Sequence, residues 1–208
     1  MNNDCAREKK ALRKRILSLR DALSFEERQK KSAVIQSRLF SLTEFIASRM
    51  VAFFVSFKSE VLTEPIIREA LSLEKVIALP VTDLPRKQLL LSRITDYDTD
   101  LAPGTWGIPE PKAGRIRPAT PDELDLVITP GAVFDRQGRR IGYGGGFYDG
   151  LLRNMPAGKP AVALAFALQI VDAVPFDPCH DETVDIIITE EEIIYCRDER
   201  ANCWPWLF

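Results

Sequence analysis

Eleven consecutive residues, from Arg140 to Gly150, have the composition of a loop that binds phosphate. They read Arg-Ile-Gly-Tyr-Gly-Gly-Gly-Phe-Tyr-Asp-Gly, and five of the chain's 11 glycines lie there. Glycines let backbone N–H groups approach a ligand without a Cβ in the way, and they permit positive φ. Several N–H groups that converge at the start of a helix form an anion site. The stretch therefore predicts an enzyme that handles a nucleotide.

The glycine pattern matches neither of the two best-known phosphate motifs. A P-loop requires Gly-Lys-Ser/Thr, which does not occur, and a dinucleotide fingerprint requires Gly-x-Gly-x-x-Gly. Here Gly142, Gly144 and Gly146 are spaced Gly-x-Gly-x-Gly, with Phe147 next. The alternative is a glycine-rich connection that packs tightly on a sheet.

Charged residues near the loop could neutralise a phosphate and its metal. Arg139 and Arg140 precede the loop, and neighbouring side chains in extended chain point opposite ways, so only one is expected to face the ligand. A guanidinium can donate to two phosphate oxygens at once. Asp149 and Asp185 are candidate Mg²⁺ ligands, because Mg²⁺ takes one or two carboxylates together with substrate phosphates. The alternative for Asp185 is a hydrogen bond at the start of its strand.

The first helix adds further cations. Residues 1–31 contain ten lysines and arginines and five acidic residues, whereas the remainder contains 18 and 25. Lys9, Lys10, Arg13 and Lys14 crowd one region, and positions 9 and 13 share a helix face. They could close over a triphosphate. A solvated helix face and a nucleic-acid-binding helix are the alternatives.

Two further residues could contact a flat heterocycle. Trp106 begins Trp-Gly-Ile-Pro-Glu-Pro, and it could stack on a ring or fill the core. Glu60 follows an apolar run, and it could accept from the N–H donors of a pterin-like ring or be an ordinary solvated glutamate. His180 is the only histidine, and no Ser or Cys nucleophile pattern accompanies it.

The elements that must position these residues alternate between helices and short apolar strands. The expected helices are Ala6–Leu23, with Leu12, Ile16, Leu19 and Leu23 on one face, then Ser24–Phe40 with a capping box, Ser41–Ser48, Thr63–Leu73 and Phe147–Met155. The expected strands are Met50–Val55, Lys75–Leu79 ended by Pro80, Gln88–Ile94, Asp125–Thr129, Ala161–Ala165, Val184–Ile188 and an edge strand Glu192–Cys196. Residues 96–121 are expected to be irregular. This order predicts an α/β fold with a mainly parallel sheet flanked by helices on both faces.

Composition limits the remaining choices. The 208 residues suit a single α/β domain, 1–208, with N-terminal helices in 1–48 and a C-terminal tail, 197–208, of no evident function. No apolar stretch is long enough for a membrane span, and the start lacks a signal-peptide core. The four cysteines show no metal-binding spacing, which favours free thiols in the cytoplasm. We expect a monomer that binds neither membrane nor nucleic acid.

Taken together, these pieces resemble the 5-formyltetrahydrofolate cyclo-ligase family from about residue 9 to residue 189. The segments that carry the resemblance are Lys9–Arg13, Val55–Glu60, Thr105–Pro111, Pro130–Asp135, Arg140–Asp149 and Val184–Asp185. The resemblance implies that ATP is bound by Lys9, Lys10, Arg13, Arg140, Gly142, Tyr143, Gly144, Gly145, Gly146, Phe147 and Tyr148. It implies folate contacts from Val55, Glu60, Trp106, Tyr143, Gly146 and Phe147, and Mg²⁺ on Asp149 and Asp185. Phe147 stands where the family often has tyrosine, and Gly145 where some members have lysine.

The family reaction converts 5-formyltetrahydrofolate and ATP to 5,10-methenyltetrahydrofolate, ADP and phosphate. The resemblance implies that the formyl oxygen is phosphorylated and that N10 then attacks the formyl carbon, with Arg140 and Lys9 as catalytic cations. Phosphoryl transfer depends on positioning and charge neutralisation, which suits a chain without an evident nucleophile. A non-catalytic folate- or nucleotide-binding protein is the alternative on the same scaffold.

Overall fold

The apolar runs of the sequence form the central strands of one eight-stranded sheet. The computed structural model describes residues 3–196, so the tail 197–208 lies outside the described residues. The helices are α1 (Asn3–Asp21), α2 (Phe25–Ser41), α3 (Thr43–Ala47), α4 (Glu64–Ser72), α5 (Tyr97–Asp100) and α6 (Phe147–Arg153). The strands are β1 (Met50–Ala52), β2 (Val76–Asp83), β3 (Gln88–Ile94), β4 (Leu101–Pro103), β5 (Pro109–Pro111), β6 (Pro118–Ala119), β7 (Leu126–Thr129), β8 (Val133–Asp135), β9 (Arg140–Ile141), β10 (Ala161–Leu164), β11 (Ile170–Val171), β12 (Ile186–Ile188) and β13 (Ile193–Tyr195).

The main sheet is mostly parallel, as predicted. Its order is β13-β12-β10-β7-β1-β2-β3-β6. The five strands from β12 to β2 run parallel, and β13, β3 and β6 are antiparallel to their neighbours. Every residue of β7, β10 and β12 is buried, which is typical of a sheet covered on both faces. A small sheet, β11-β8-β9, and a hairpin, β4-β5, complete the β structure of residues 3–196.

Two apolar layers cover the sheet. On one face, Ile35, Phe45 and Ile66 bring α2, α3 and α4 against alternate residues of the central strands. On the other face, Leu151 and Leu152 of α6 pack against the remaining strand residues. Helix α1 packs separately, through Ile16, on the small sheet. Helices therefore flank both faces, as the sequence predicts.

Local signals define several helix ends. Ser24 accepts a hydrogen bond from the Glu27 amide at 3.1 Å, while the Glu27 carboxylate accepts from the Ser24 amide at 2.8 Å, so the predicted capping box of α2 is confirmed. Thr63 does stand at the N-cap of α4, but its hydroxyl accepts from the Ser56 amide at 2.8 Å instead of capping the helix.

Other local predictions were wrong. Strand β2 continues through Pro80, which pairs with Leu91 of β3. Because β1 ends at Ala52, beside Ala78, the rest of β2 pairs only with β3, and a residue without an N–H is tolerated there. Leu19 is 54% exposed instead of lying on the inner face of α1.

Residues 96–121 are more regular than predicted. They contain α5, the β4-β5 hairpin and β6. Trp106 lies in the connection between the two hairpin strands, where the Gly104 amide donates to the Ile108 carbonyl at 2.8 Å. None of the helices in residues 3–196 is both long and apolar enough to cross a bilayer.

Candidate active site

The glycine loop joins β9 to α6 in a conformation that requires glycine. Gly144 has φ +98° and Gly146, the N-cap of α6, has φ +71°, and side chains rarely adopt these values. A Cβ on Gly145 would lie 2.6 Å from the Phe147 ring. Within residues 3–196, no hydrogen bond is donated by the backbone amides of 143–149. The loop therefore presents a series of unused donors.

Arg140 lies at the base of this loop and is almost completely buried. Its Nη2 donates to Oδ1 of Asp149 at 2.8 Å, and its buried Nε has no hydrogen-bond partner in the described chain. Burial lowers the pKa of Arg140, and the Asp149 carboxylate opposes that shift. Arg139 points elsewhere, with its guanidinium 5.5 Å from the Phe176 ring centre. Only one of the two arginines thus faces the loop, as expected.

Helix α1 directs cations toward the same loop. Arg13 donates from Nη1 to the Gly142 carbonyl at 3.4 Å. Lys9, only 9% exposed, forms an ion pair with Asp181. Lys10 is exposed and, with Arg13, lines an open groove beside α1. The structure therefore brings Lys9 and Arg13 to the loop region and leaves Lys10 at the surface.

Glu60 and Tyr143 link the loop to the segment that follows β1. The Tyr143 hydroxyl donates to Oε1 of Glu60, and the Phe57 amide donates to Oε2 at 2.8 Å. Glu60 is 5% exposed, and burial raises its pKa, whereas the Tyr143 hydrogen bond lowers it. Burial also raises the pKa of Tyr143, so its hydroxyl stays protonated and can donate. The glycine loop thus lies at the carboxyl end of β1, as expected of a ligand site.

Aromatic residues form a second side of the site. The rings of Trp106 and Phe147 meet edge to face, with centroids 6.1 Å apart. Trp106 is 62% exposed and has φ +57°, so it is held out from the core. Tyr148 packs between the two apolar layers, and Val55 is buried in the core layer next to α4.

The two candidate Mg²⁺ ligands have different surroundings. Asp149 is partly exposed at the loop, and its Oδ1 accepts from Arg140 and from the Glu182 amide. Asp185 precedes β12, and its Oδ2 accepts from the Ala161 amide at 2.8 Å. No group of three or more His, Cys, Asp or Glu residues in 3–196 could hold a metal by itself. Asp149 is exposed enough to bind a metal together with phosphate oxygens. Asp185 is already used in part, because it accepts a hydrogen bond from the first residue of β10.

Sequence reasoning missed Arg20 and Asp181. Arg20 is 2% exposed and donates from Nη2 to the Tyr143 oxygen at 2.8 Å. Lys9, Ile16 and Arg20 all lie on the buried side of α1, so the inner face of that helix carries two cations. The available signal was that Arg20 lies one turn beyond Ile16. Nothing local indicated that Asp181 would pair with Lys9.

Known proteins have a similar fold and a related sequence. The chain matches the family model described as "5-formyltetrahydrofolate cyclo-ligase family" over residues 5–190. It is 32% identical to the 5-formyltetrahydrofolate cyclo-ligase of Mus musculus over 191 residues, 88% of this chain and 94% of the relative. It is also 32% identical to that of Escherichia coli K12 over 189 residues, 90% and 97% of the two chains. The NMR structure of Aquifex aeolicus 5,10-methenyltetrahydrofolate synthetase matches with a TM-score of 0.80 and 35% identity, covering 91% of this chain and 93% of that one.

The structure is that of an α/β protein whose glycine loop presents unused backbone amides beside the buried Arg140. The match over nearly the whole chain then shows that this chain belongs to the 5-formyltetrahydrofolate cyclo-ligase family. Members are ATP-using ligases of folate one-carbon metabolism, and this chain is an enzyme that converts 5-formyltetrahydrofolate to 5,10-methenyltetrahydrofolate.

Proposed function

We propose that the chain transfers the γ-phosphoryl group of ATP to the formyl oxygen of 5-formyltetrahydrofolate. A formyl amide is a weak electrophile with a poor leaving group, and phosphorylation of its oxygen removes both obstacles. N10 then attacks the formyl carbon and loses its proton, the C–O bond breaks, and phosphate departs with that proton to leave the cyclic methenyl product and ADP. The protein supplies positioning and charge, because this chemistry needs no protein nucleophile.

The main observation that supports ATP binding at the glycine loop is the buried Nε of Arg140, which has no hydrogen-bond partner and lies below a loop of unused amides. A buried donor without a partner is costly, and a phosphate oxygen would satisfy it. Lys9 and Arg13 approach from α1, so cations and amides converge from two elements. We assign the phosphates to this cradle, with Arg140 and Lys9 as the catalytic cations, Lys10 at the outer edge, and residues Gly142 to Tyr148 as the binding loop.

The same cradle suits Mg²⁺ bound together with the phosphates. When bound, Mg²⁺ would neutralise negative charge on the phosphate oxygens. Asp149 is its main proposed protein ligand, because it is partly exposed beside the loop. Asp185 is proposed as a second ligand, and its hydrogen bond to Ala161 would compete with that role.

The folate is proposed to lie between Glu60 and the aromatic pair. Glu60 supplies a buried carboxylate for ring N–H donors, and Trp106 with Phe147 supplies flat apolar surface. Tyr143 and Gly146 of the loop, with Val55 beneath, complete the proposed contacts.

One assay tests the whole proposal. Protein, Mg-ATP and 5-formyltetrahydrofolate are mixed, and the absorbance of the methenyl product is followed together with ADP. Equal amounts of both products support the mechanism. ADP without methenyl product contradicts it, because ATP would then be cleaved without cyclisation. Folate binding without ADP also contradicts it and favours the non-catalytic alternative. Tight, steeply salt-dependent binding to DNA or RNA would instead favour the nucleic-acid alternative.

Oligomeric state and compartment remain parts of the proposal. We propose a monomer that acts in the cytoplasm, where reduced thiols such as Cys5 and Cys179 are stable. Light scattering of the full chain measures the mass directly, and a dimer mass would contradict the first part.

A further inference from the structure

A buried arginine that the proposed mechanism does not use lies behind Glu60. Arg20 donates from Nε to Oγ of Ser59 at 3.0 Å and from Nη2 to the Tyr143 oxygen at 2.8 Å. Tyr143 in turn donates its hydroxyl proton to Oε1 of Glu60. A guanidinium can only donate, so the direction of this chain is fixed, and the single phenol proton must go to the carboxylate.

Glu60 keeps acceptor capacity after these bonds are made. Oε1 accepts from Tyr143, and Oε2 accepts from the Phe57 amide at 2.8 Å. A carboxylate offers about four lone-pair positions, so each oxygen can accept another hydrogen bond. Two neighbouring N–H groups on the edge of a flat ring can donate to the two oxygens of one carboxylate, as the two arms of a guanidinium do.

We propose that Arg20 and Tyr143 are positioning residues that hold Glu60 ionised and in one orientation, so that its remaining lone pairs accept paired N–H donors of the folate ring. This proposal rests on the folate contact assigned to Glu60 above. The Tyr143 hydroxyl thereby acts on the substrate through a carboxylate, and Arg20 acts through Tyr143 from the buried side of α1.

We call the hydrogen bonds from Arg20 to Tyr143 and from Tyr143 to Glu60 the relay. The charges around Glu60 determine how this relay responds to pH. The charged and titratable groups that act on Glu60 are Arg20 of α1, Tyr143 of the loop and Tyr148 of α6, while Asp21 is one contact further away and accepts from Ser59. Burial raises the pKa of Glu60, and the Tyr143 hydrogen bond and the Arg20 charge lower it. Loss of the Tyr143 hydroxyl therefore raises that pKa further. Folate affinity should then fall as the pH drops through the raised value and recover above it.

The test is Tyr143→Phe, which deletes one hydroxyl from a ring that is 45% exposed. The dissociation constant of 5-formyltetrahydrofolate is measured without ATP across about pH 5.5 to 8.5. We expect the wild type to retain its affinity to a lower pH than the variant does, because its Glu60 keeps the Tyr143 hydrogen bond. In Tyr143→Phe, binding should weaken by up to about tenfold per pH unit at the acidic end and approach the wild type at the alkaline end. Tyr195→Phe, on the exposed side of β13, is the matched control and should follow the wild type.

Glu60→Gln separates the relay from the folate contact. This variant lacks the titrating group, so its binding should be weak and flat with pH, and adding Tyr143→Phe to it should introduce no slope. If Glu60→Gln binds folate as tightly as the wild type, the proposed folate contact is wrong. If Glu60→Gln weakens binding but Tyr143→Phe follows the wild-type profile, the relay is wrong and the folate contact stands.

Discussion

The guanidinium of Arg140 and the carboxylate of Asp149 join the two ends of the glycine loop, with Nη2 and Oδ1 2.8 Å apart. The arginine side chain is 2% exposed and the aspartate side chain 21% exposed, so the pair extends from the buried part of the site toward solvent. Asp149 holds the Arg140 guanidinium in place without a ligand, and the Nε of Arg140 remains available to donate to a phosphate oxygen. Preorganised charge of this kind lowers the reorganisation needed during phosphoryl transfer.

Arg140→Ala should reduce kcat/KM by about 10²–10³-fold, because it removes charge stabilisation from a buried site. Arg139→Ala is the matched control, since the adjacent guanidinium lies over Phe176 instead of the loop. Steady-state assays of both variants at saturating Mg²⁺ provide the comparison. Wild-type turnover in Arg140→Ala, or an equal loss in both, would refute the role given to Arg140.

Lys9→Met should weaken ATP binding by about tenfold, because one charge-assisted contact to phosphate is lost. Lys14→Met is the control on the same helix, since Lys14 is exposed and has no proposed role. Titration with a non-hydrolysable ATP analogue measures both. Because Lys9 pairs with Asp181, thermal unfolding must be compared as well. An unchanged dissociation constant in a folded Lys9→Met protein would exclude Lys9 from the phosphate site.

Gly146→Ala should lower the free energy of unfolding by about 1–2 kcal/mol, because Gly146 has φ +71° and a Cβ is disfavoured there. Space is not the cause, since a Cβ at Gly146 would meet no atom within 4 Å. Gly114→Ala is the control: that Cβ is equally uncrowded, and the backbone there does not have positive φ. Urea unfolding should show a loss only for Gly146→Ala. Equal effects would mean that the left-handed conformation is not what selects glycine.

Those parts of the fold that depend on local pattern could be predicted from the sequence. Strand β3 begins and ends at Gln88 and Ile94, as predicted, and the capping box of α2 forms between Ser24 and Glu27. Hydrophobic periodicity sets such elements, and capping depends on residues three positions apart. The glycine loop could also be predicted from the sequence, because clustered glycines indicate a backbone with positive φ.

Contacts between distant segments could not be predicted in this way. Tyr143 meets Glu60 from 83 positions away, and Lys9 meets Asp181 from 172. Such pairs depend on how α1 and the loops pack on the sheet, which no local pattern specifies. The inner face of α1 illustrates the limit, because periodicity alone favours Leu19 over Arg20 for a buried position. The hydrogen bonds of Arg20 to Ser59 and Tyr143 reverse that preference.

Asp149→Asn should raise the Mg²⁺ concentration needed for half-maximal activity by about tenfold, since a neutral amide is a poorer Mg²⁺ ligand. Asp185→Asn should produce a smaller shift, because its carboxylate also accepts from the Ala161 amide. Activity is titrated with Mg²⁺ at fixed ATP, and Mn²⁺ binding is measured separately by electron paramagnetic resonance in the presence of an ATP analogue. Unchanged metal dependence in both variants would remove both aspartates from the proposed site.

Glu60→Gln should make the protein more stable relative to wild type as the pH rises. Burial raises the pKa of Glu60 in the folded protein, so its contribution to stability is present below the unfolded-state pKa and is lost as the pH rises through the folded-state value. Glutamine does not titrate, so the difference in unfolding free energy should grow as the pH rises through that window. Urea unfolding at several pH values measures it, with Glu74→Gln, on the exposed end after α4, as the control. A difference that does not change with pH would contradict this prediction, because it would mean that Arg20 and Tyr143 fully offset the effect of burial on the Glu60 pKa.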